Sequence, residues 1–600
     1  MTDPYAEDTL DKPMDLGFLR RLWPFVRPYR RAFAACLCIL FVSFWLELAG
    51  PYLLRLAIDG PLRSDAATDE RLSQLWMLGG GFLAATGLGA LLGYIYGQLT
   101  AWNGQRVIRD VRRHLFANIL HAPASFHDRN PAGKLTTRVT SDVENLNELI
   151  ATGVLQSLFD LLKIVGVMIA MFFLDLQLAL FTLAATPVVI VISVLFRRNA
   201  QRAYRKVRGK LALQNAYTTE LIGGVRATRA FGREDRTAAR YAQYNGETAT
   251  AWRDTVLHFS SFFALVDLSL RITMIGLLWF GASAVLAGEA EPGQFIQFWL
   301  YFGLLTGPIK SLGEKYNVLQ AAFASTERIF AILDEPRFPP PPSPGVTPFT
   351  EPPRRGAASI EFRDVSFRYL EDVPVLDNIS FRAEPGSTVA IVGPTGAGKT
   401  SMLSLVSRLR DVNSGSILVD DVDVREWDAE ALRRRIAVVA QDLFLFTGSV
   451  LDNVRLFDVS IDEERVWHSL ELVGAADFVR ALPGGLSATV EERGGTFSQG
   501  QRQLLAFARA LTTDPCVLVL DEATASIDSQ TEARLQQALA TALQGRTAMV
   551  VAHRLSTVRA ADNILVLDKG RIQEAGNHEQ LVARSGIYAG MLRRLAEATP

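Results

Sequence analysis

The 600-residue sequence predicts a two-part chain: an α-helical transmembrane domain of six spans, then an α/β domain on a largely parallel sheet. Three observations carry this expectation. Apolar runs of spanning length occupy roughly 33–58, 75–99, 150–174, 176–196, 257–287 and 293–318. A proline-rich stretch, EPRFPPPPSPGVTPFTEPPRR at 335–355, then interrupts the pattern. From about Ala358 onward, short β-branched runs (TVAIV, SILVD, CVLVL, AMVVA, NILVL) alternate with helical stretches, as in parallel sheets buried on both faces.

A chain of this length exceeds what one hydrophobic core organises, so each part is expected to bury its own. Lys plus Arg number 62 against 63 for Asp plus Glu, a net charge of −1, which offers no electrostatic argument for a nucleic-acid partner. Cys36, Cys38 and Cys516 are too few for a disulfide framework and read as small core hydrophobes, with the C-terminal part in a reducing compartment.

The charges between the runs set an orientation. Arg20, Arg21, Arg27, Arg30 and Arg31 precede the first run, Arg106, Arg109, Arg112 and Arg113 follow the second, and Arg197, Arg198, Arg202, Arg205 and Lys206 follow the fourth. Other connections are acidic: Asp65, Asp69 and Glu70, then Asp175, then Glu289 and Glu291. Basic loops stay on the cytoplasmic side, so both termini and the two long loops are expected there. No cleavable signal peptide is expected, because an acidic, polar stretch comes first. Segments 100–147 and 197–256 are rich in helix formers and mixed charge, so the spans should continue into the cytoplasm as helices. Serial prolines make 335–357 a semi-rigid spacer between a membrane domain at 1–334 and a soluble domain at 358–600.

Ionisable residues inside the runs are costly against lipid: Glu47 and Arg55, Asp160 and Lys163, Asp267 and Arg271. They are expected to face partner helices or a wet cavity. Asp267 and Arg271, at i,i+4, can bridge along one helix face.

The sharpest motif of the soluble part follows TVAIV: Gly393, Pro394, Thr395, Gly396, Ala397, Gly398, Lys399, Thr400, then Ser401. A G-x-x-x-x-G-K-T run between a strand and a helix is a P-loop, whose glycines let backbone N–H groups converge on phosphate oxygens. Lys399 is expected to reach the outer phosphates of ATP, and Thr400 to offer its hydroxyl to Mg²⁺. Downstream, CVLVLDE ends an apolar strand in Asp521, suited to the Mg²⁺ shell, and Glu522, placed to polarise the attacking water. The soluble part is therefore predicted to be a P-loop NTPase.

Further motifs fall in the order of an ATP-binding cassette: Gln441 in VVAQDLFLF, FSQGQRQ just before LDE, ASID ending at Asp528, and His553 in VVAHRLST. Over nearly its whole length the chain resembles an ABC half-transporter of the exporter type. FHDRNPAGKLTTRVTSDV (126–143) and ELIGGVRATRAFGRED (220–235) resemble that family's inward loops, and docking on the cassettes is expected near Val139 to Asn145 and Gly224 to Phe231. The resemblance implies that Tyr369, in SFRYL, stacks on adenine, and that Gln441 joins the Mg²⁺ and water shell. It also implies that His553 contacts the γ-phosphate and that Asp528 communicates between the two nucleotide domains. It places the chain in a membrane, by resemblance the bacterial inner (plasma) membrane, with its cassette in the cytoplasm.

The stretch TFSQGQRQLL, 496–505, departs from the family's Leu-Ser-Gly-Gly-Gln at Phe497 and Gln499. Ser498 is expected to cap a helix running through Gln501, Arg502 and Leu504. By resemblance, Ser498, Gln499, Gly500 and Gln501 face the ATP of a partner subunit. A full catalytic set beside an altered signature resembles the catalytically complete half of bacterial heterodimeric multidrug exporters. A second half-transporter, membrane lipid and an amphipathic small-molecule cargo are the implied partners, and a homodimer is the alternative assembly. Lipid flippase, peptide exporter, siderophore importer and ATP-gated channel or regulator remain open on the same fold.

Overall fold

A computed structural model describes residues 17–340, 347–350, 356–370, 373–521, 529–552 and 555–597. The chain divides into two compact units, one of residues 1–119 and 133–334, the other of 120–132 and 335–600.

The first unit is built on six long helices: α1 (Arg30–Asp59), α2 (Thr68–His121), α3 (Val154–Leu174), α4 (Leu176–Gly223), α5 (Glu234–Leu286) and α6 (Pro292–Leu333). Among the described residues, α1, α2, α3 and α5 meet the length and hydropathy needed to cross a membrane. Asp175 starts α4 by accepting a hydrogen bond from the Leu178 N–H at 2.9 Å, and Pro292 opens α6, where its missing N–H costs nothing. Helix α4 lies against α5, while α6 packs on α1 and α3. Small residues allow close approach: a Cβ at Gly166 of α3 would sit 2.3 Å from the buried Phe44 ring of α1. The apolar half of α2 is bare within the chain, with Trp76, Met77 and Leu83 each more than 70% exposed. Such a face is stable only against lipid or another subunit.

The charges within the apolar runs are paired. Lys163 meets Glu47 at 2.5 Å, between α3 and α1. Asp160 accepts from Gln156 at 3.2 Å and from Ser311 at 2.8 Å, and is ion-paired to Lys315 of α6. Arg55 lies 3.5 Å from Asp59, and Arg271 donates to Asp267 at 2.7 Å along α5. Pairing across helices replaces the hydration that hydrocarbon withholds.

One expectation is corrected here. Cys36 and Cys516 are buried, but Cys38 is exposed on α1 and is no core residue. Residues 139–145 brace α6 within their own unit. Asp142 sits in a π-helical turn, Arg138–Asp142, and accepts from Arg138 at 2.7 Å, Arg328 at 3.0 Å and Ser325 at 3.0 Å, while Asn145 donates to Ser325 at 2.9 Å. Burial pushes the Asp142 carboxyl up, but the hydrogen bonds and charges of Arg328 and Arg138 outweigh it and hold the group below the usual carboxylate range. The loop segment that groups with the soluble domain is 120–132. Its short helix, Ala124–Arg129, buries Phe126. Asp128 pairs with Arg410, Arg129 lies 3.6 Å from Glu335, and the Phe338 N–H donates to the His121 carbonyl at 2.8 Å.

Among the described residues, the second unit holds three sheets. Strands β1 (Ile360–Leu370), β2 (Val373–Ala383), β4 (Ser414–Val419) and β5 (Val422–Asp423) form an antiparallel sheet in the order β2-β1-β4-β5. The run SILVD thus belongs there and not in the parallel sheet. A six-stranded sheet has the order β12-β11-β3-β10-β9-β6, from β3 (Thr388–Val392), β6 (Ile436–Val439), β9 (Val517–Asp521), β10 (Thr547–Val551), β11 (Asn563–Asp568) and β12 (Arg571–Gly576). All its neighbours pair in parallel except β12, which closes one edge antiparallel. Strands β7 (Gly448–Ser449) and β8 (Thr489–Val490) make a small ribbon. Residues of β10 are fully buried on both faces, which is why their run reads as unbroken apolar sequence.

Removing a carboxylate from between two partly buried arginines leaves their charges unpaired, so Asp142→Ala should lower stability by about 2–3 kcal/mol, less than for a fully buried pair. Thermal unfolding in lipid nanodiscs reads this, and an unchanged midpoint contradicts it. Because the folded carboxyl titrates below its unfolded value, its contribution is present above the unfolded pKa and lost as pH falls through the folded one. The gap between wild type and variant should therefore close in acid.

Candidate functional site

Strand β3 delivers the chain into the loop 393–398 at the edge where the parallel strands end. Gly393 has φ 154°, and a Cβ there would lie 2.1 Å from the Leu567 carbonyl oxygen of β11. Gly398, at φ 102°, precedes helix α7 (Lys399–Val406), and a Cβ on it would meet Leu376 at 2.7 Å and the Val375 carbonyl at 2.9 Å. Side chains at these two positions would collide with the neighbouring strands and displace the loop. The Lys399 ammonium donates to the carbonyls of Gly393 and Pro394, both at 2.9 Å, and so lies folded over the loop. Burial pulls it below the usual lysine range, with Asp521 acting in the opposite sense. Thr400 donates to Asp521 at 2.9 Å across the gap between α7 and β9.

These residues fit a nucleoside triphosphate with its metal: an open backbone cradle, an ammonium against it, and a hydroxyl–carboxylate pair of hard oxygens. Thr400 and Asp521 would hold Mg²⁺, which when bound supplies charge neutralisation on phosphate oxygens.

Tyr369, near the end of β1, is half-exposed and so not a core aromatic. Its hydroxyl lies 2.8 Å from that of Ser401, a buried residue of α7, and its ring meets Phe367 edge-on with centroids 4.9 Å apart. The Arg410 guanidinium lies 4.8 Å from the Tyr369 ring centroid. Gln441 is exposed just beyond β6. The segment after it is fastened by Arg509, which donates to the carbonyls of Phe444 at 3.0 Å and Asn453 at 2.8 Å.

Arg509 belongs to helix α8 (Gln499–Thr512), which has the expected start. Ser498 is its N-cap, accepting from the Gln501 N–H at 3.2 Å, while the Gln501 side chain accepts from the Ser498 N–H at 3.0 Å. The Gln501 carboxamide oxygen is thus engaged in the cap. Ser498 and Gln499 are exposed and Gly500 is buried. Phe497 is buried against Phe478, so this departure from leucine serves core packing. Glu522, Asp528 and His553 lie outside the described residues. Sequence reasoning missed Arg410, Arg509 and Lys315. No local signal separates Arg509 from Arg502, which lies on the same helix face seven residues earlier.

Residues 33–309 match the ABC transporter transmembrane region family, and residues 376–525 match the ABC transporter family. The chain belongs to the ABC transporter family. It is 37% identical to an uncharacterised ABC transporter ATP-binding protein of Bacillus subtilis, YknV, across 98% of this chain and 96% of that one. It is 38% identical to the probable multidrug resistance ABC transporter ATP-binding/permease protein YheH of the same organism, over 83% of this chain and 73% of the relative. A bacterial Atm1-family ABC exporter solved with ATP bound superposes with a TM-score of 0.80 at 25% identity, covering 95% of this chain and 99% of that one. This ABC transporter is a membrane-integral exporter half that works as a dimer, with a cytoplasmic domain that hydrolyses ATP with Mg²⁺.

Lys399→Ala removes the point charge from the cradle and should weaken ATP binding itself. Calorimetry on the full-length protein tests this, and an unchanged affinity would contradict the assignment of Lys399 to the phosphates.

Proposed function

We propose that this chain is the catalytically complete half of a heterodimeric exporter, moving an amphipathic drug-like or lipid-like molecule out of the cytoplasm or inner leaflet. Residues 1–334 serve as the transport domain, 335–357 as spacer and 358–600 as ATPase. The supporting observation is an asymmetry within one cassette. Lys399, Thr400 and Asp521 are assembled for phosphate and metal, whereas the capped start of α8 exposes Gln499 where the family's glycine permits the closest backbone approach. The Cβ and amide of glutamine crowd that approach, so the signature offered to a partner's ATP is the weaker one.

In this reading Glu522 orients and polarises the attacking water, and His553 contacts the γ-phosphate. Gln441 joins the water and metal shell, Asp528 signals to the opposite cassette, and Gly393 to Ser401 hold the phosphates. Tyr369 is the platform for the base. The partner supplies the signature for this competent site, while Ser498, Gln499, Gly500 and Gln501 face the partner's nucleotide. The multidrug resistance name of YheH supports the amphipathic cargo class.

Purifying the chain alone decides the assembly: little transport-coupled ATPase is expected, and a stable homodimer with robust coupled turnover in lipid overturns the heterodimer. Glu522→Gln should retain ATP and lose nearly all hydrolysis, since the amide keeps the size of the carboxylate but not its basicity. Turnover near wild type in the purified complex contradicts the role of Glu522.

A further inference from the structure

The turn 120–132 brings to the soluble unit one carboxylate that phosphate chemistry does not require. Asp128 is ion-paired to Arg410, whose side chain is mostly buried. The same guanidinium lies 4.8 Å from the ring centroid of Tyr369, and the Tyr369 hydroxyl lies 2.8 Å from that of Ser401. A continuous run of contacts, Asp128 to Arg410 to Tyr369 to Ser401, therefore ends two residues beyond Lys399.

Each contact limits a freedom the next one needs. An arginine carries several rotatable bonds, and a carboxylate at its far end holds the planar fork in one place. A cation held over an aromatic face is attracted by the ring quadrupole and fixes the plane of the ring. With the hydroxyl tied to Ser401 and the ring held by Arg410 and Phe367, Tyr369 is set in one orientation while about half of its surface stays exposed to a stacking partner. A ring set in this way loses less freedom when a base arrives. Coupling of this kind is reciprocal: if docking of the turn favours the base, the base favours docking of the turn by the same factor.

We propose that Arg410 is a positioning residue which makes base stacking on Tyr369 depend on the Asp128 contact of the Ala124–Arg129 helix. The inference rests on Tyr369 being the base platform. The run reaches the phosphate cradle only through the Ser401 hydroxyl and includes none of Lys399, Thr400 and Asp521, so the dependence falls on the base half of the nucleotide.

The test uses the full-length protein with its partner half in lipid nanodiscs. Photolabelling by 8-azido-ATP, scored on this chain by mass, is competed with ATP or with inorganic tripolyphosphate, which has no base. Asp128→Asn and Arg410→Ala should each raise the ATP midpoint about 3–5-fold, on the scale of an exposed cation–aromatic contact, and leave the tripolyphosphate midpoint unchanged. Arg410→Lys, which keeps the charge, should restore part of the loss. In a Tyr369→Ala background, Asp128→Asn should add nothing. An unchanged or lowered ATP midpoint for Asp128→Asn overturns the proposal, as does an equal loss for tripolyphosphate or an additive loss in the Tyr369→Ala background. If Tyr369→Ala itself leaves the ATP midpoint unchanged, the platform reading falls and takes the proposal with it. A loss for Tyr369→Ala without one for Asp128→Asn removes the proposal alone.

Discussion

The parallel pairing of β3 with β10 and β11 is the constraint on which the catalytic half of this protein rests. Parallel strands present their carboxyl ends at one edge, so every loop that leaves that edge is brought near the others. The P-loop leaves β3 there, and Asp521 closes β9 at the same edge, one strand removed across β10. The separation is spanned by Thr400, whose hydroxyl reaches Asp521 from the start of α7. The bare backbone of Gly393 completes the arrangement, because the carbonyl of Leu567 on the neighbouring strand leaves no room for a side chain. Sheet packing and phosphate access therefore demand the same residue.

The membrane unit obeys a different rule with a similar outcome. Hydrocarbon offers no partner to a charge, so Glu47, Asp160, Lys163 and Lys315 are each matched by a group on another helix. These pairs tie α3 to α1 on one side and to α6 on the other. Their worth lies less in net stability, since paired charges gain little over apolar residues of equal size, than in fixing which helix faces which. Below the apolar zone Asp142 plays a comparable part, gathering Arg138, Ser325 and Arg328 onto a single π-helical turn.

What was legible in the sequence was local. The glycine spacing of 393–398, the apolar runs that became β3, β9, β10 and β11, and Ser498 as a helix cap each depend on residues within a few positions of one another. What escaped was carried by contacts between distant segments. SILVD has the composition of a buried parallel strand, yet its register with β1 places it in the antiparallel sheet. The charges near 139–145 are recognisable in the sequence, but not that they are spent on α6. Asp160 was recognisable as a residue needing a partner, while nothing in its neighbourhood named Lys315. Phe497 looked like an altered signature and is a core residue, a distinction that only its burial against Phe478 could make.

The turn 120–132 also has a consequence for how the chain is made. It belongs by contact to the unit whose remaining residues begin at 335, and Asp128 precedes Arg410 by 282 residues. At roughly 5–20 residues per second, a ribosome needs on the order of 15–55 s to cover that distance. For that interval the exposed turn has no surface to settle on, and the helices flanking it must already have entered the bilayer. The piece of the soluble unit that is synthesised first is thus the one that waits longest for its partner.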